Sequence, residues 1–160
     1  MKLDCLDFLN ISGEFSEEEI MVQKTAKEFV INEISPIIEE SFENDIFPKE
    51  LISKFAELGF LGVNLPEKYG CAGMSNIAYG LICQELEKCD SGIRSFVSVQ
   101  GSLVMYPIYA YGSEEQKKQW LPKMASGEII GCFGLTEPNF GSNPSGMITK
   151  AKKTKGGYIL

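Results

Sequence analysis

The 160-residue sequence contains no histidine. Histidine is the commonest general base at neutral pH and a frequent zinc ligand, so its absence excludes Ser-His and Cys-His nucleophile pairs and most zinc chemistry within this chain. An excess of basic residues is also missing, because 15 Lys and Arg stand against 22 Asp and Glu, giving a net charge of −7. We therefore expect no nucleic-acid partner and no attraction to an anionic membrane.

Long apolar segments are absent as well. No run approaches the roughly 20 residues of a membrane-spanning helix, and the start, MKLDCLDFLN, carries two aspartates where a secretory signal is basic. We expect no membrane span and a cytoplasmic location, or the mitochondrial matrix if a transit peptide was removed. The odd number of cysteines, without a C-x-x-C pair, is typical of reduced thiols. We interpret all five as small core residues: Cys5, Cys71, Cys83, Cys89 and Cys132.

Helix signals fill most of the sequence, and a 44% hydrophobic share is enough for a core. Capping side chains or a first-turn proline predict helix starts at four positions: Ser16, Pro48, Ser75 and Ser113. Pro36 and Pro107 predict interruptions of two helical runs. Gly127 is expected to end the last helix. We predict a helical domain over residues 1–128.

Strand signals begin at Ile129. The stretches IIGCFGLT, MITKAKKTK and YIL predict short strands, with a turn at residues 155–157. Two or three strands are only marginally stable on their own. The predicted fold class is therefore mostly α, with a helical domain followed by the first strands of an incomplete β-domain at residues 129–160.

The loop CFGLTEPNFGSNPSG, residues 132–146, is the first candidate binding site. Gly134 and Gly141 permit close backbone approach, and Thr136 and Ser142 supply hydroxyls. Free N–H groups at a strand end can bind an anion or a flat polar ring. The glycine fingerprint of the dinucleotide fold and the phosphate loop are both absent from the sequence. Composition alone favours an ordinary turn.

Arg94 is the second candidate, because it is a lone charge in an apolar, small-residue helix. Helical spacing places Arg94, Ser98 and Met105 on one face. A guanidinium in that position needs a partner. The partner is either a ligand carboxylate or an internal carboxylate, Glu85 or Glu87 of the preceding helix. The residues by themselves leave these two alternatives equally open.

Three segments together resemble the acyl-CoA dehydrogenases: GCFGLTEPNFGS, IRSFVSVQ and YPIYAYGSEEQ. The continuous register from YGCAGMSNIAYG to GLTEPN resembles the glutaryl-CoA type, and the resemblance runs from about Ser16 to the end of the chain. It implies an acyl-CoA dehydrogenase-like N-terminal helical domain followed by a β-domain. The cofactor FAD is then held between these two domains and the next one.

The resemblance also implies roles for individual residues. In the family, backbone groups and the residue matching Thr136 meet the polar edge of the flavin ring. The matching cofactor-binding residues here are Phe133, Gly134, Leu135, Thr136, Glu137, Pro138, Asn139, Phe140, Gly141 and Ser142. Arg94 and Ser95 match the pair that faces the free carboxylate of the substrate, and Ser142 also reaches toward substrate. The resemblance thus favours a ligand contact for Arg94.

The family reaction removes an α-proton with a glutamate and transfers a β-hydride to the flavin. For glutaryl-CoA, carbon dioxide is then lost to give crotonyl-CoA, a step of lysine and tryptophan degradation. The family's glutamate lies in a C-terminal helical domain, so we expect no catalytic residue in this chain and no activity of the chain alone. The implied partners are glutaryl-CoA, an electron-transfer flavoprotein as acceptor, and either a homo-oligomer or a separately encoded C-terminal half.

Two interpretations outside enzymology stay open, namely a non-catalytic helical interaction module and a vestigial gene product. Phe140 stands where the family usually has a small residue, and Asn143 replaces the usual aspartate. A bulky ring could crowd the flavin, and the loss of a carboxylate could loosen the loop. Both departures fit a copy under weakened constraint.

Overall fold

The computed structural model describes residue 7 and residues 9–160, so the predicted core position of Cys5 lies outside the described residues. The α-helices are α1 Glu17–Phe29, α2 Ser35–Glu43, α3 Leu51–Glu57, α4 Asn76–Glu87, α5 Ser91–Ser98, α6 Tyr106–Tyr111 and α7 Glu114–Ala125. Two π-helices, Val30–Ile34 and Val99–Met105, connect α1 to α2 and α5 to α6. Short 3-10 helices are Ile11–Glu14, Glu67–Tyr69 and Pro144–Gly146, and the strands are β1 Lys152–Thr154 and β2 Gly157–Ile159.

The predicted helix caps are confirmed at three of the four starts. The Ser16 hydroxyl accepts the Glu19 N–H at 3.2 Å, and the Glu19 carboxylate accepts the Ser16 N–H at 3.0 Å. Ser75 caps α4 and Ser113 caps α7 through their hydroxyls in the same way. The predicted start at Pro48 was wrong by one turn, because residues 48–50 form a turn and α3 begins at Leu51.

Both predicted interruptions coincide with π-helices. Pro36 and Pro107 occupy the first turns of α2 and α6, directly after the two π segments. A π-helix closes i to i+5 hydrogen bonds, so a 3.6-residue spacing does not continue through it. Met105 is accordingly fully buried in the core, whereas Arg94 and Ser98 are half-buried. The prediction that Arg94, Ser98 and Met105 share one face was therefore wrong for Met105.

The core consists of two clusters of buried side chains. The larger one is organised around the packing of α1 on α4 and includes Ile34, Leu51, Phe55, Leu86 and Val97. The second lies between α7, the π-helix Val99–Met105 and the 3-10 helix Glu67–Tyr69, and includes Leu65, Tyr69, Met105 and Leu121. In the second cluster the Tyr69 hydroxyl donates to the Glu114 carboxylate at 3.0 Å. This contact ties the long α3–α4 connection to α7.

The C-terminal strands are shorter than predicted. The expected strand IIGCFGLT is not formed, since residues 129–136 have no ladder partner in the part of the chain that the structure describes. MITKAKKTK contributes only Lys152–Thr154, which pairs antiparallel with Gly157–Ile159. A strand needs a neighbour for its backbone groups. The mostly α fold class with the first strands of a β-domain is confirmed, and the boundary at residue 128 stays a prediction.

The cysteines divide by burial. Cys71 is buried, and burial raises the pKa of its thiol to about 11. Cys83 and Cys89 are half-buried, but Cys132 is exposed, so its interpretation as a core residue was wrong. Among the described residues, no helix is both long and apolar enough to cross a membrane.

Removing the cap of α7 should destabilise the fold. Ser113→Ala deletes the hydroxyl that accepts the Gln116 N–H at 3.3 Å, and we expect a loss of about 1 kcal/mol in the free energy of unfolding. Urea unfolding followed by circular dichroism measures it. Ser113→Asp retains a capping acceptor and should remain close to wild type. Equal losses in the two variants would contradict the role of the cap.

Candidate functional site

Arg94 lies in the first turns of α5, beside the end of α4. The Asp90 carboxylate caps α5 by accepting the Ile93 N–H at 2.7 Å, which fixes the start of the helix. The Arg94 Nε donates to Glu87 Oε2 at the end of α4, and Nη1 donates to the Ser98 hydroxyl at 3.4 Å. The side chains of Arg94 and Glu87 are 34% and 45% exposed. The structure thus contains an internal ion pair, with Glu87 as the partner.

Glu85, the other carboxylate considered for Arg94, is engaged elsewhere. It is buried and accepts from Lys88 Nζ at 2.7 Å and from Gln23 Nε2 at 3.2 Å. Glu85 and Glu87 are two positions apart on α4 and so point in different directions. The choice between them therefore follows from helix geometry.

The ion pair keeps both groups charged. The hydrogen bond from Arg94 is the main cause that lowers the pKa of Glu87, with a second contribution from the Ser91 hydroxyl. The same bond raises the pKa of Arg94. A guanidinium carries five N–H donors, and contacts among the described residues engage two of them. The arrangement can therefore hold Glu87 and still offer donors to a second carboxylate.

The predicted ligand contacts of Arg94 and Ser95 stay predictions. Ser95 is half-buried one position further along α5, and its carbonyl accepts the Ser98 hydroxyl at 3.1 Å. The Arg94 side chain is 34% exposed, so part of it faces solvent.

A polar seam between α4 and the helix after it was missed by the sequence analysis. Tyr79, Cys83 and Glu87 follow each other at four-residue intervals on α4, which places them on one face. At the far end of the seam the Tyr79 hydroxyl lies 2.7 Å from the Ser102 hydroxyl. Burial raises the pKa of Tyr79 to about 12 and also raises that of Cys83. The four-residue spacing of polar side chains was the signal that could have revealed the seam.

The second candidate site, Phe133–Ser142, is one continuous stretch at the surface. Residues 132–136 are exposed, with Phe133 50% and Leu135 36% exposed. A tight turn comes next, in which the Phe140 N–H donates to the Glu137 carbonyl at 3.0 Å. Two apolar side chains beside an uncovered backbone can support a flat ligand that also carries polar atoms.

Two side chains of this stretch are used within their own loop. Glu137 accepts the N–H of Ile148 at 3.0 Å and of Thr149 at 2.8 Å, which closes the loop 137–149. The Phe140 ring packs against Gly146, where an added Cβ would lie 2.4 Å from a ring carbon. The predicted cofactor contacts of Glu137 and Phe140 stay predictions.

A groove of about 500 Å³ lies apart from both candidate sites. It runs between α6 and α7, and its lining includes Pro107, Ile108, Tyr111, Gln116 and Trp120. No predicted site residue lines it. Within the described part of the chain, no group of three His, Cys, Asp or Glu side chains could hold a metal ion.

Comparison with known proteins places these features in a family. Residues 16–128 match the acyl-CoA dehydrogenase N-terminal domain. The chain belongs to the acyl-CoA dehydrogenase family. It is 51% identical to a glutaryl-CoA dehydrogenase from Mycobacterium smegmatis, whose crystal structure is in complex with FADH2, with a TM-score of 0.88 over 93% of this chain and 38% of that one.

Two further relatives show the breadth of the family. An acyl-CoA dehydrogenase of Bacillus subtilis is 37% identical over 145 residues, which cover 91% of this chain and 38% of the relative. A chain in a structure of the electron transferring flavoprotein of Acidaminococcus fermentans is 38% identical, with a TM-score of 0.87 over 91% of this chain and 38% of that one. The present chain therefore spans about 38% of the length of these relatives.

Closure of the loop 137–149 should depend on the charge of Glu137. Contacts with the Thr149 side chain, the Ile148 N–H and the Thr149 N–H lower the pKa of Glu137, in that order of size. Because this pKa is lowered, the closing contacts are complete above the ordinary glutamate value and are lost as pH falls through the lowered one. We expect the amide resonances of Ile148 and Thr149 to titrate with a midpoint below that of an ordinary glutamate.

An NMR pH titration of the chain measures this midpoint. The Glu137→Gln variant cannot ionise and should show no titration at either amide. A midpoint at or above the ordinary glutamate value would contradict the prediction that ionised Glu137 closes the loop.

Proposed function

We propose that this chain forms the N-terminal part of an FAD-dependent dehydrogenase of the glutaryl-CoA type. Arg94 binds the free carboxylate of the substrate, and the stretch Phe133–Ser142 contacts the flavin. The observation that carries the proposal is the half-buried guanidinium of Arg94, held through one edge by Glu87. The 51% identity to a glutaryl-CoA dehydrogenase supports the substrate class.

Arg94 suits a dicarboxylic thioester because its charge is fixed. The hydrogen bond to Glu87 raises the pKa of Arg94, and a guanidinium is in any case protonated at neutral pH. Its planar donors match the two oxygens of a carboxylate. A substrate without that carboxylate would leave the donors to water and to Glu87. Arg94 thereby selects for the ω-carboxylate of glutaryl-CoA over an uncharged acyl tail.

The exposed stretch suits an isoalloxazine ring. Phe133 and Leu135 offer apolar surface, while the neighbouring backbone and the Thr136 hydroxyl offer polar contacts. When bound, FAD supplies the acceptor for the β-hydride. The task of the residues in this chain is to orient the ring, to hold the substrate carboxylate and to cover one side of the reacting carbons from water.

We infer that the catalytic base is not among the residues of this chain and that the chain alone does not turn over. In the resembling family the glutamate base belongs to a C-terminal helical domain. Proton abstraction next to a thioester requires a positioned base and exclusion of water. The purified chain, supplied with FAD, glutaryl-CoA and an electron-accepting dye, should show no reduction of the dye, and measurable turnover would contradict the inference.

The proposed partners follow from the same reaction. Electrons taken up by FAD must pass to an acceptor, and an electron-transfer flavoprotein is the proposed one. The proposed sources of the remaining flavin- and substrate-binding surfaces are a C-terminal half and the other subunits of a homo-oligomer. The 38% identity to a chain in the Acidaminococcus fermentans electron transferring flavoprotein structure supports an electron-transfer flavoprotein as the acceptor.

A chimeric enzyme tests the proposal directly. Residues 16–160 of this chain replace the matching part of the Mycobacterium smegmatis glutaryl-CoA dehydrogenase. We expect the chimera to purify with FAD and to oxidise glutaryl-CoA. Arg94→Gln should raise the KM for glutaryl-CoA about 10- to 100-fold, the loss of one charge-assisted hydrogen-bonded pair.

Pentanoyl-CoA is the matched control substrate, since it has the same chain length without the second carboxylate. Its KM should change little in the Arg94→Gln chimera. Equal losses for both substrates would contradict the role of Arg94, and a folded but colourless chimera would contradict the flavin contact.

A non-catalytic interaction module is the second candidate function. Several apolar side chains of the C-terminal hairpin and its preceding loop are exposed, which favours a protein partner: Met147, Ile148, Tyr158, Ile159 and Leu160. A chain that takes up FAD, alone or with a separate C-terminal half, supports the enzyme. A colourless chain that binds an intact relative supports the module.

A further inference from the structure

Gln100 is a buried polar side chain with a complete set of hydrogen bonds. It is 1% exposed. Its Nε2 donates to the carbonyls of Met124 at 3.1 Å and Ile129 at 2.9 Å, and its Oε1 accepts the Gly131 N–H at 2.9 Å. A buried amide is costly unless each of its groups is bonded. One side chain therefore bonds three backbone groups. The Met124 carbonyl also accepts the Gly127 N–H at 3.2 Å, so the Ile129 carbonyl and the Gly131 N–H are the two groups that depend on Gln100.

The partners of Gln100 come from parts of the chain that the two candidate sites depend on. Gln100 is the second residue of the π-helix Val99–Met105, which continues directly from α5 and Arg94. Met124 lies in the last turn of α7. Ile129 and Gly131 begin the segment that leads to Phe133. The amide of Gln100 thus links the helix that carries Arg94 to the start of the stretch Phe133–Ser142.

Gly131 is held by a second, independent contact. A Cβ at this position would lie 2.4 Å from Val104 Cγ1, so the backbone of Gly131 rests directly on the π-helix, and only glycine permits this approach. The hydrogen bond to Gln100 and the contact with Val104 restrain Gly131 from two directions.

We propose that Gln100 is a positioning residue that sets the place of the Phe133–Ser142 stretch relative to Arg94. This proposal rests on the proposed function, in which Arg94 holds the carboxylate end of the substrate and the stretch holds the flavin. The reacting carbons then lie between the two, and the distance between the two sites must match the length of the acyl chain. Three directional hydrogen bonds from one rigid amide fix that distance.

NMR of the full 160-residue chain tests the positioning without FAD. In the wild type, the side-chain amide protons of Gln100 should give NOEs to the Gly131 amide, and the Gly131 amide should be protected from exchange. Gln100→Met has a similar volume without the amide, and the protection of Gly131 should fall about tenfold. Absence of the NOEs in the wild type would overturn the proposal, whether or not the variant folds.

Two further variants separate positioning from general stability. Ser102→Ala removes a hydrogen bond to Tyr79 from the same π-helix but none to Gly131, so the protection of Gly131 should remain as in the wild type. Gly131→Ala should displace the stretch although Gln100 is intact. Equal loss of Gly131 protection in Ser102→Ala and Gln100→Met would show a merely structural role and overturn the proposal.

The chimera with the Mycobacterium smegmatis enzyme distinguishes this proposal from the proposed function. With Gln100→Met, we expect an altered visible circular dichroism of the flavin and a kcat lower by about tenfold or more, because small misplacements of reacting groups are costly. The KM for glutaryl-CoA should change much less, since Arg94 is untouched. An unchanged flavin spectrum with unchanged kcat would overturn the positioning role and leave the proposed function standing. A chimera that purifies without FAD, combined with the expected NMR result, would overturn the proposed function and leave the hydrogen bonds of Gln100 to the C-terminal segment established.

Discussion

Two backbone groups at the junction of α7 and the C-terminal segment, the carbonyl of Ile129 and the N–H of Gly131, depend on one side-chain amide. The amide belongs to Gln100, which is buried and therefore needs partners for its own polar atoms. Its third bond goes to the Met124 carbonyl at the end of α7. The helical domain therefore ends at a defined place and in a defined direction. The segment from Phe133 onward starts from this junction, and the ladder that it forms within the described residues is the short pair β1–β2.

The parts of the fold that were predictable from sequence are those whose cause is local. Ser16, Ser75 and Ser113 cap helices because a hydroxyl three residues before a backbone N–H needs no tertiary partner. The positions of Pro36 and Pro107 marked the interrupted helices for a similarly local reason. The family, too, was recognisable, because its distinctive segments are continuous in sequence.

The parts that sequence reasoning missed depend on distant residues. The stretch IIGCFGLT has strand-like composition, but pairing is a property of two segments. Instead of a neighbouring strand, Ile129 and Gly131 contact Gln100, and Gly131 also contacts Val104. The wide turn of the π-helix Val99–Met105 moved Met105 off the face of Arg94, which a fixed 3.6-residue count cannot foresee. The spacing of residues in the sequence likewise could not decide whether Arg94 pairs with a ligand or with Glu87, because each of the two offers a carboxylate group.

That equivalence of carboxylates has a consequence for binding. An anion arriving at Arg94 meets a cation already neutralised by Glu87, so part of its binding energy is offset by competition with an intramolecular anion. When the anion leaves, the pair with Glu87 remains and no unpaired charge is left behind. A built-in counter-ion of this kind weakens the capture of an anion but eases its release.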